Sequence, residues 1–169
     1  MSWDVVLMSV APEIINSSDL PKDFSSTLGT LSDVLARLKQ VLPSIDLSDP
    51  AWGLLDGQDF SIEFNIGKND PVESIMLHVR GSESAIIPIE HLCRETKWRA
   101  MGMNDCEFID FSKDPSLGLR GWQAFSAKVI AAEKAKGSFV VENPSLPGVR
   151  VDAIVIGKSA RKKWWQFWK

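Results

Sequence analysis

The residues that come closest to a catalytic device in this 169-residue chain sit in two alternating segments. Phe60, Ile62, Phe64 and Ile66 alternate with Ser61, Glu63 and Asn65; after the turn-rich Gly67-Lys-Asn-Asp-Pro71, Ile75, Leu77 and Val79 alternate with Met76, His78 and Arg80. A period of two on both sides of a turn predicts an antiparallel hairpin with one buried face. Pairing Ile66 with Ile75 sets Phe64 opposite Leu77 and Ile62 opposite Val79, so every large apolar side chain shares a face. The same register sets Glu63 opposite His78, and Ser61 opposite Arg80, on the other face. A carboxylate that orients an imidazole is half of a general-base device, and Arg80 beside it would bind an anion. Nothing completes the device: no Gly-x-Ser-x-Gly motif occurs, and Ser61 is merely adjacent. Cross-strand Glu/His and Ser/Arg pairs are also what a solvated sheet face contains, and that reading is preferred until more groups converge. Glu63, His78 and Arg80 therefore stand as the candidates of an alternative reading, a small hydrolase or transferase, and no residue is assigned as catalytic.

Metal and phosphate chemistry have less support. His91 and Cys93 are two apart on a helix and point in different directions, and neither Cys-x-x-Cys nor His-Glu-x-x-His spacing occurs. Asp56-Gly-Gln-Asp59 opens like a calcium loop, but Phe60 and Ile62 fall where that loop would still supply ligands. Neither Gly118-Leu-Arg-Gly121 nor Gly53-Leu-Leu-Asp-Gly57 has the spacing of a phosphate-binding loop. No metal and no cofactor are expected.

Binding chemistry gathers at the C-terminus. Residues 158–169 contain five basic residues and no acid, whereas residues 1–157 carry 14 Lys and Arg against 22 Asp and Glu, a formal −8. Lys162, Lys163, Trp164, Trp165, Phe167 and Trp168 make a cationic aromatic tip of the composition found at interface hot spots. Three destinations suit it. Its aromatics could plug an apolar groove of the same protein, which is the favoured reading. They could dock on a protein partner, or touch anionic lipid at a membrane surface. Against the last, the tip is short and the acidic body would be repelled. Specific nucleic-acid binding is not expected, because the body has the wrong sign and the tip alone would bind weakly and without sequence preference.

Elements that must position these groups follow from periodicity. Trp3 to Val10 predicts a strand, and residues 11–29 a Pro/Ser/Asp-rich connection. Leu28, Leu31, Leu35, Leu38 and Leu42 recur at helical spacing, with Thr30 or Ser32 as cap and Pro43 as stop. Residues 46–59 are an acidic loop around Trp52-Gly-Leu-Leu, a segment that admits one short strand. Beyond the hairpin, a helix spans about 84–98, capped by Ser82 or Ser84, with Pro88 in its first turn and Ile86, Ile89, Leu92 and Cys93 inward. Cys106 to Phe111 predicts a strand. A third helix carries Trp122, Phe125, Val129 and Ala132 and stops at Lys134-Ala-Lys-Gly137. Residues 139–141 and 149–156 predict a strand pair around the 144–148 turn. Fold class is accordingly α+β: an antiparallel sheet with helices on one face, a ferredoxin-like split βαβ core plus a C-terminal strand pair. Residues 1–157 form one domain and 158–169 a tail.

Composition sets the class of protein. Apolar content of 44% and charged content of 24% are ordinary for a globular chain. No apolar run approaches the roughly 20 residues of a membrane span. Met1 to Val10 lacks a basic leader region and meets Asp4 at once, so it reads as a strand and the chain as cytoplasmic. Cys93 and Cys106 are expected as two buried thiols of a reducing compartment. The segments Asp49 to Asn65, Asp70 to Gly81 and Trp164-Trp-Gln-Phe-Trp168 resemble small bacterial proteins of the polymorphic-toxin immunity type. That resemblance covers a minority of the chain and transfers no functional residue. It implies a cytosolic, non-enzymatic interaction module that inhibits a basic toxin.

Overall fold

Alternation of apolar and polar residues resolves into a six-stranded antiparallel sheet in the computed structural model, which describes residues 1–134, 140–142 and 150–152. The chain divides into two compact units, Met1–Gln123 and Ala124–Lys169. The sheet lies in the first unit. Its strands are β1 (Trp3–Met8), β2 (Asp46–Asp49), β3 (Trp52–Asp56), β4 (Phe60–Asn65), β5 (Ser74–Gly81) and β6 (Arg99–Gly102), in spatial order β2-β3-β4-β5-β1-β6. Among the described residues three α-helices accompany them: α1 (Leu31–Val41), α2 (Ile86–Thr96) and α3 (Leu117–Lys134). The architecture is α+β.

β1 takes an inner position because it is apolar on both faces: Trp3, Val5 and Leu7 are buried on one side and Val6 on the other. β4 and β5 pair in the register that burial demands, with Ser61↔Arg80, Ile62↔Val79, Glu63↔His78 and Phe64↔Leu77. Ile62, Phe64, Leu77 and Val79 are all buried.

The first two of the three expected helices form with their expected caps, and α3 covers the expected third. Thr30 caps α1, its side chain accepting from Asp33 N at 3.2 Å, and Val34 and Leu38 are buried. Ser82 caps the 3-10 turn Glu83–Ala85, which leads into α2. Pro88 is the third residue of α2, where a missing N–H breaks no helical hydrogen bond. Ile86, Ile89, Leu92 and Cys93 point into the same core as Val34, Leu38, Val5, Leu7 and the hairpin, so α1 and α2 cover one face of the sheet.

Two local expectations are corrected. The acidic stretch 46–59 holds a second strand, β2, as well as the short strand admitted around Trp52, β3. Its alternation is real: Gly53 and Leu55 face the core while Trp52 and Leu54 face out. Gly53 hides the signal, because a Cβ there would lie 2.9 Å from Leu47 Cδ2 and 3.3 Å from Phe64 Cβ, so the inward position must stay empty. Aspartates then occupy the edge strand, which suits a solvent-facing edge that must not recruit another chain. Cys106 to Phe111 does not form a strand either. Cys106 has φ 58°, which breaks the extended run, and a single bridge, Met101↔Phe108, remains. The strand of this region is β6, and Gly102 N→Glu107 O and Ile109 N→Ala100 O, both 2.9 Å, tie the 107–109 segment along its outer side.

The same kink places Cys106 at the surface, against the expectation of two buried thiols, whereas Cys93 is buried. Burial pushes the Cys93 thiol up to about 12. Native-state alkylation at pH 8 read by mass spectrometry should therefore modify Cys106 quickly and leave Cys93 intact until the chain is unfolded. Equal labelling of both would contradict the burial of α2's inner face.

Within Ala124–Lys169, β7 (Val140–Glu142) pairs antiparallel with β8 (Arg150–Asp152). The Lys134-Ala-Lys-Gly137 stop beyond Lys134, the 144–148 turn and the tail from Lys158, including Lys162, Lys163, Trp164, Trp165, Phe167 and Trp168, lie outside the described residues. Among the described residues no helix is long and apolar enough to cross a membrane.

Candidate functional site

The sheet face away from α1 and α2 brings together the polar residues of the hairpin in the expected cross-strand register, but the side chains take other hydrogen-bond partners. His78 lies between Glu63 on β4 and Asp4 on β1, opposite both. It takes Asp4: His78 Nδ1 donates to Asp4 Oδ1 at 2.9 Å. Asp4 Oδ1 also accepts from Ser2 Oγ at 2.8 Å. Glu63 is held by Arg80, whose Nη1 donates to Oε1 at 2.6 Å and Nη2 to Oε2 at 3.4 Å. The reason is geometric. A guanidinium fork matches a carboxylate with two parallel hydrogen bonds, which an imidazole cannot do, so the diagonal Arg80 outcompetes the directly opposite His78. Glu63 thus does not orient His78, and Arg80 is committed to Glu63 rather than free to bind an anion.

Trp52 completes the group. Its indole reaches from β3 over β4 and stacks on the His78 ring, with centroids 5.8 Å apart and planes inclined by 24°. Its side chain is still 38% exposed, in a position where an approaching surface would cover it. Aspartates lie at both ends of β3: Asp46 and Asp49 on β2, near Trp52, and Asp59 in the turn at its far end. Asp46 accepts from the Ser48 backbone N–H and hydroxyl. Asp59, in the β3–β4 turn, accepts from Ser82 Oγ at 2.5 Å and Ser84 Oγ at 2.6 Å. Those hydroxyl hydrogen bonds hold both carboxyls below the usual aspartate range and so keep them ionised. Asp49 accepts from Ala51 N at 2.9 Å.

Charge follows the division of the chain. Met1–Gln123 carries 10 Lys and Arg against 19 Asp and Glu, a formal −9, and Ala124–Lys169 carries 9 against 3, a formal +6.

Chemically, the Asp4–His78–Trp52 and Glu63–Arg80 groups form an exposed, mutually satisfied patch. Two cavities of the first unit lie elsewhere. One of about 390 Å³ is lined by Trp3, Phe108 and the carboxylates of Asp105, Asp110 and Asp114. Another, of about 810 Å³, lies beside the C-terminal part of α2. Neither has Glu63, His78 or Arg80 in its wall. Among the described residues no group of three or more His, Cys, Asp and Glu is placed to hold a metal ion.

Asp4 and Trp52 are the site residues that motif reasoning missed. Asp4 had a local signal, since a lone acid between Trp3 and the run Val5-Val-Leu7 needs a polar partner. Trp52 had one in its alternation with Leu54. The β1–β5 pairing that brings Asp4 to His78 joins residues 74 apart in sequence and leaves no local trace. Comparison with protein-family models, with curated proteins and with solved structures finds no match.

Proposed function

We propose that this chain is a non-enzymatic cytosolic protein-interaction module of the immunity type, which binds and inhibits a basic toxin. One observation carries the reading: an exposed Trp52, stacked on His78, stands beside the aspartate-bearing edge strand β2 on a unit with a formal −9. Tryptophan anchors in a polar surround are the usual source of interface affinity. A concentrated negative charge speeds encounter with a cationic partner. The Lys162–Trp168 tip is read as a second contact whose sign suits an acidic area of the same partner. An anionic membrane is less suited, because Met1–Gln123 would be repelled from it.

Strand order supports placing the sheet among ferredoxin-like split βαβ folds with β2 and β3 added at one edge. β5 lies between β1 and β4, and β1 lies between β5 and β6, as two interleaved βαβ units require. The enzymatic alternative has one supporting observation, the Asp4–His78 hydrogen bond. It loses Arg80 to Glu63, and among the described residues no nucleophile is hydrogen-bonded to the imidazole.

The test is co-expression with the basic product of the neighbouring gene, followed by titration of the two purified proteins. Neutralisation at one-to-one stoichiometry, with an association rate that falls steeply with salt, is the expected result. Trp52→Ala should weaken the complex by about 2 kcal/mol or more while leaving the thermal midpoint nearly unchanged. Failure of the wild-type chain to bind or neutralise that product removes the immunity reading.

A further inference from the structure

The cavity of about 810 Å³ beside α2 is an anomaly of charge. Met1–Gln123 is strongly acidic, yet three of its ten cations, Arg94, Lys97 and Arg99, line this one cavity, where Glu90 is the single acid. Apart from Ser9 the rest of its wall is apolar, with Val10, Trp98, Ile109 and Phe111 among it. The volume falls inside the range of about 300–1,000 Å³ typical of small-molecule sites, and an apolar wall with a few placed polar groups is their usual composition.

Each cation retains capacity for an anion. Arg99 Nη1 donates to Ile14 O, and its guanidinium carbon lies 3.9 Å above the centre of the Phe108 ring, so the group is fixed in place. That arrangement withdraws it from water, and burial pulls its pKa down, which an adjacent anion would reverse. Lys97 ends α2 in a left-handed conformation and gives one of its three N–H donors to Arg94 O at 2.9 Å. This contact covers the helix C-terminus, whose partial negative charge would otherwise oppose an anion there. Arg94 adds a third positive charge at the cavity rim, on a side chain that is 62% exposed; two of its five N–H donors go to Glu95 Oε1 at 3.4 Å and His91 Nδ1 at 2.9 Å, so it is the weakest of the three for a ligand.

We propose that this cavity binds a small organic monocarboxylate with a hydrophobic body, the carboxylate against Arg94, Lys97 and Arg99 and the apolar part against Trp98, Ile109 and Phe111. Charge selects the head group: an uncharged or cationic amphiphile of the same length would leave the cations unanswered. The apolar walls select against short hydrophilic acids such as acetate.

Calorimetric titration of the full chain with sodium decanoate tests it, with 1-decanol and decyltrimethylammonium as controls. Decanoate should bind saturably at one site, and decanol about tenfold or more weaker, because a hydroxyl cannot replace the charge-assisted hydrogen bonds of a carboxylate. Arg94→Gln combined with Lys97→Gln should weaken decanoate by about tenfold or more while the thermal midpoint stays within a few degrees. Ala11→Trp, which fills the cavity from an exposed lining position, should abolish binding without touching the cations. Absence of saturable decanoate binding overturns the proposal. So does equal affinity for decanol, or an affinity that neither variant changes.

Discussion

Replacing Trp3 with alanine should lower the unfolding free energy by about 3–5 kcal/mol, a large share of the roughly 5–15 kcal/mol that holds a domain together. Trp3 begins β1 opposite Val79 and is 1% exposed. Its indole Nε1 donates to Asn104 Oδ1 at 3.0 Å, so the strand is tied to the turn after β6 as well as to the core. Contact on the far side is equally close: a Cβ on Gly118 would lie 3.1 Å from Trp3 Cζ2, so the start of α3 is spaced to fit the ring. Alanine would remove the packing, the hydrogen bond and the wall between the core and the 390 Å³ cavity that Trp3 lines. Trp3→Phe keeps most of the buried apolar area and loses the N–H donor, so it should cost about 1–2 kcal/mol. Urea denaturation followed by far-ultraviolet circular dichroism separates the two variants. A loss under about 1 kcal/mol for alanine, below the range for removing a buried aromatic, would show that the start of β1 is not part of the cooperative core.

The contrast between what local pattern revealed and what it concealed follows from the range of the interactions. The β4–β5 register was readable because Ile62, Phe64, Leu77 and Val79 must all face one way, and a slip of one residue would turn all four to solvent. α1 and α2 were readable from helical spacing and from Thr30 and Ser82, whose capping hydrogen bonds reach only two or three residues along the chain. β3 was legible only as a short strand the segment admits, because its setting is aspartate-rich and Gly53 puts no side chain at an inward position. β6 has four residues and follows α2 almost at once, too short for a period to emerge. At the candidate site, local spacing placed Glu63, His78 and Arg80 on one face but not their partners. Their pairing depended on β1 arriving at the far side of β5 with Asp4, and on competition between a guanidinium and an imidazole for one carboxylate. Non-local strand order decided it.

That same site depends on a residue with no side chain. Gly81 ends β5 with φ 98°, a conformation that disfavours any Cβ, and a Cβ built there would fall 2.2 Å from Asp59 O and 2.6 Å from Phe60 Cα. Both obstacles are backbone, so neither can swing aside. Gly81→Ala must push the start of β4 away from the end of β5, and a loss of about 2–4 kcal/mol is expected. Gly67→Ala is the control. Gly67 also has positive φ, 78°, but a Cβ added there would meet no atom within 4 Å, so only the backbone preference of about 1 kcal/mol should be lost. The damage at Gly81 would spread in two directions. Ser82 N donates to Asp59 O at 3.0 Å, and the Ser82 and Ser84 hydroxyls donate to the Asp59 carboxylate, so the cap of α2 would loosen with the strand end. On the other side Arg80, adjacent in sequence, would be drawn off Glu63 and the polar patch beside Trp52 would lose its order. Faster amide exchange at Ser82 in Gly81→Ala, together with a midpoint well below that of Gly67→Ala, is the expected pair of results. Equal losses in the two variants would mean that backbone conformation alone, and not the close approach of the β3–β4 turn, requires glycine at this position.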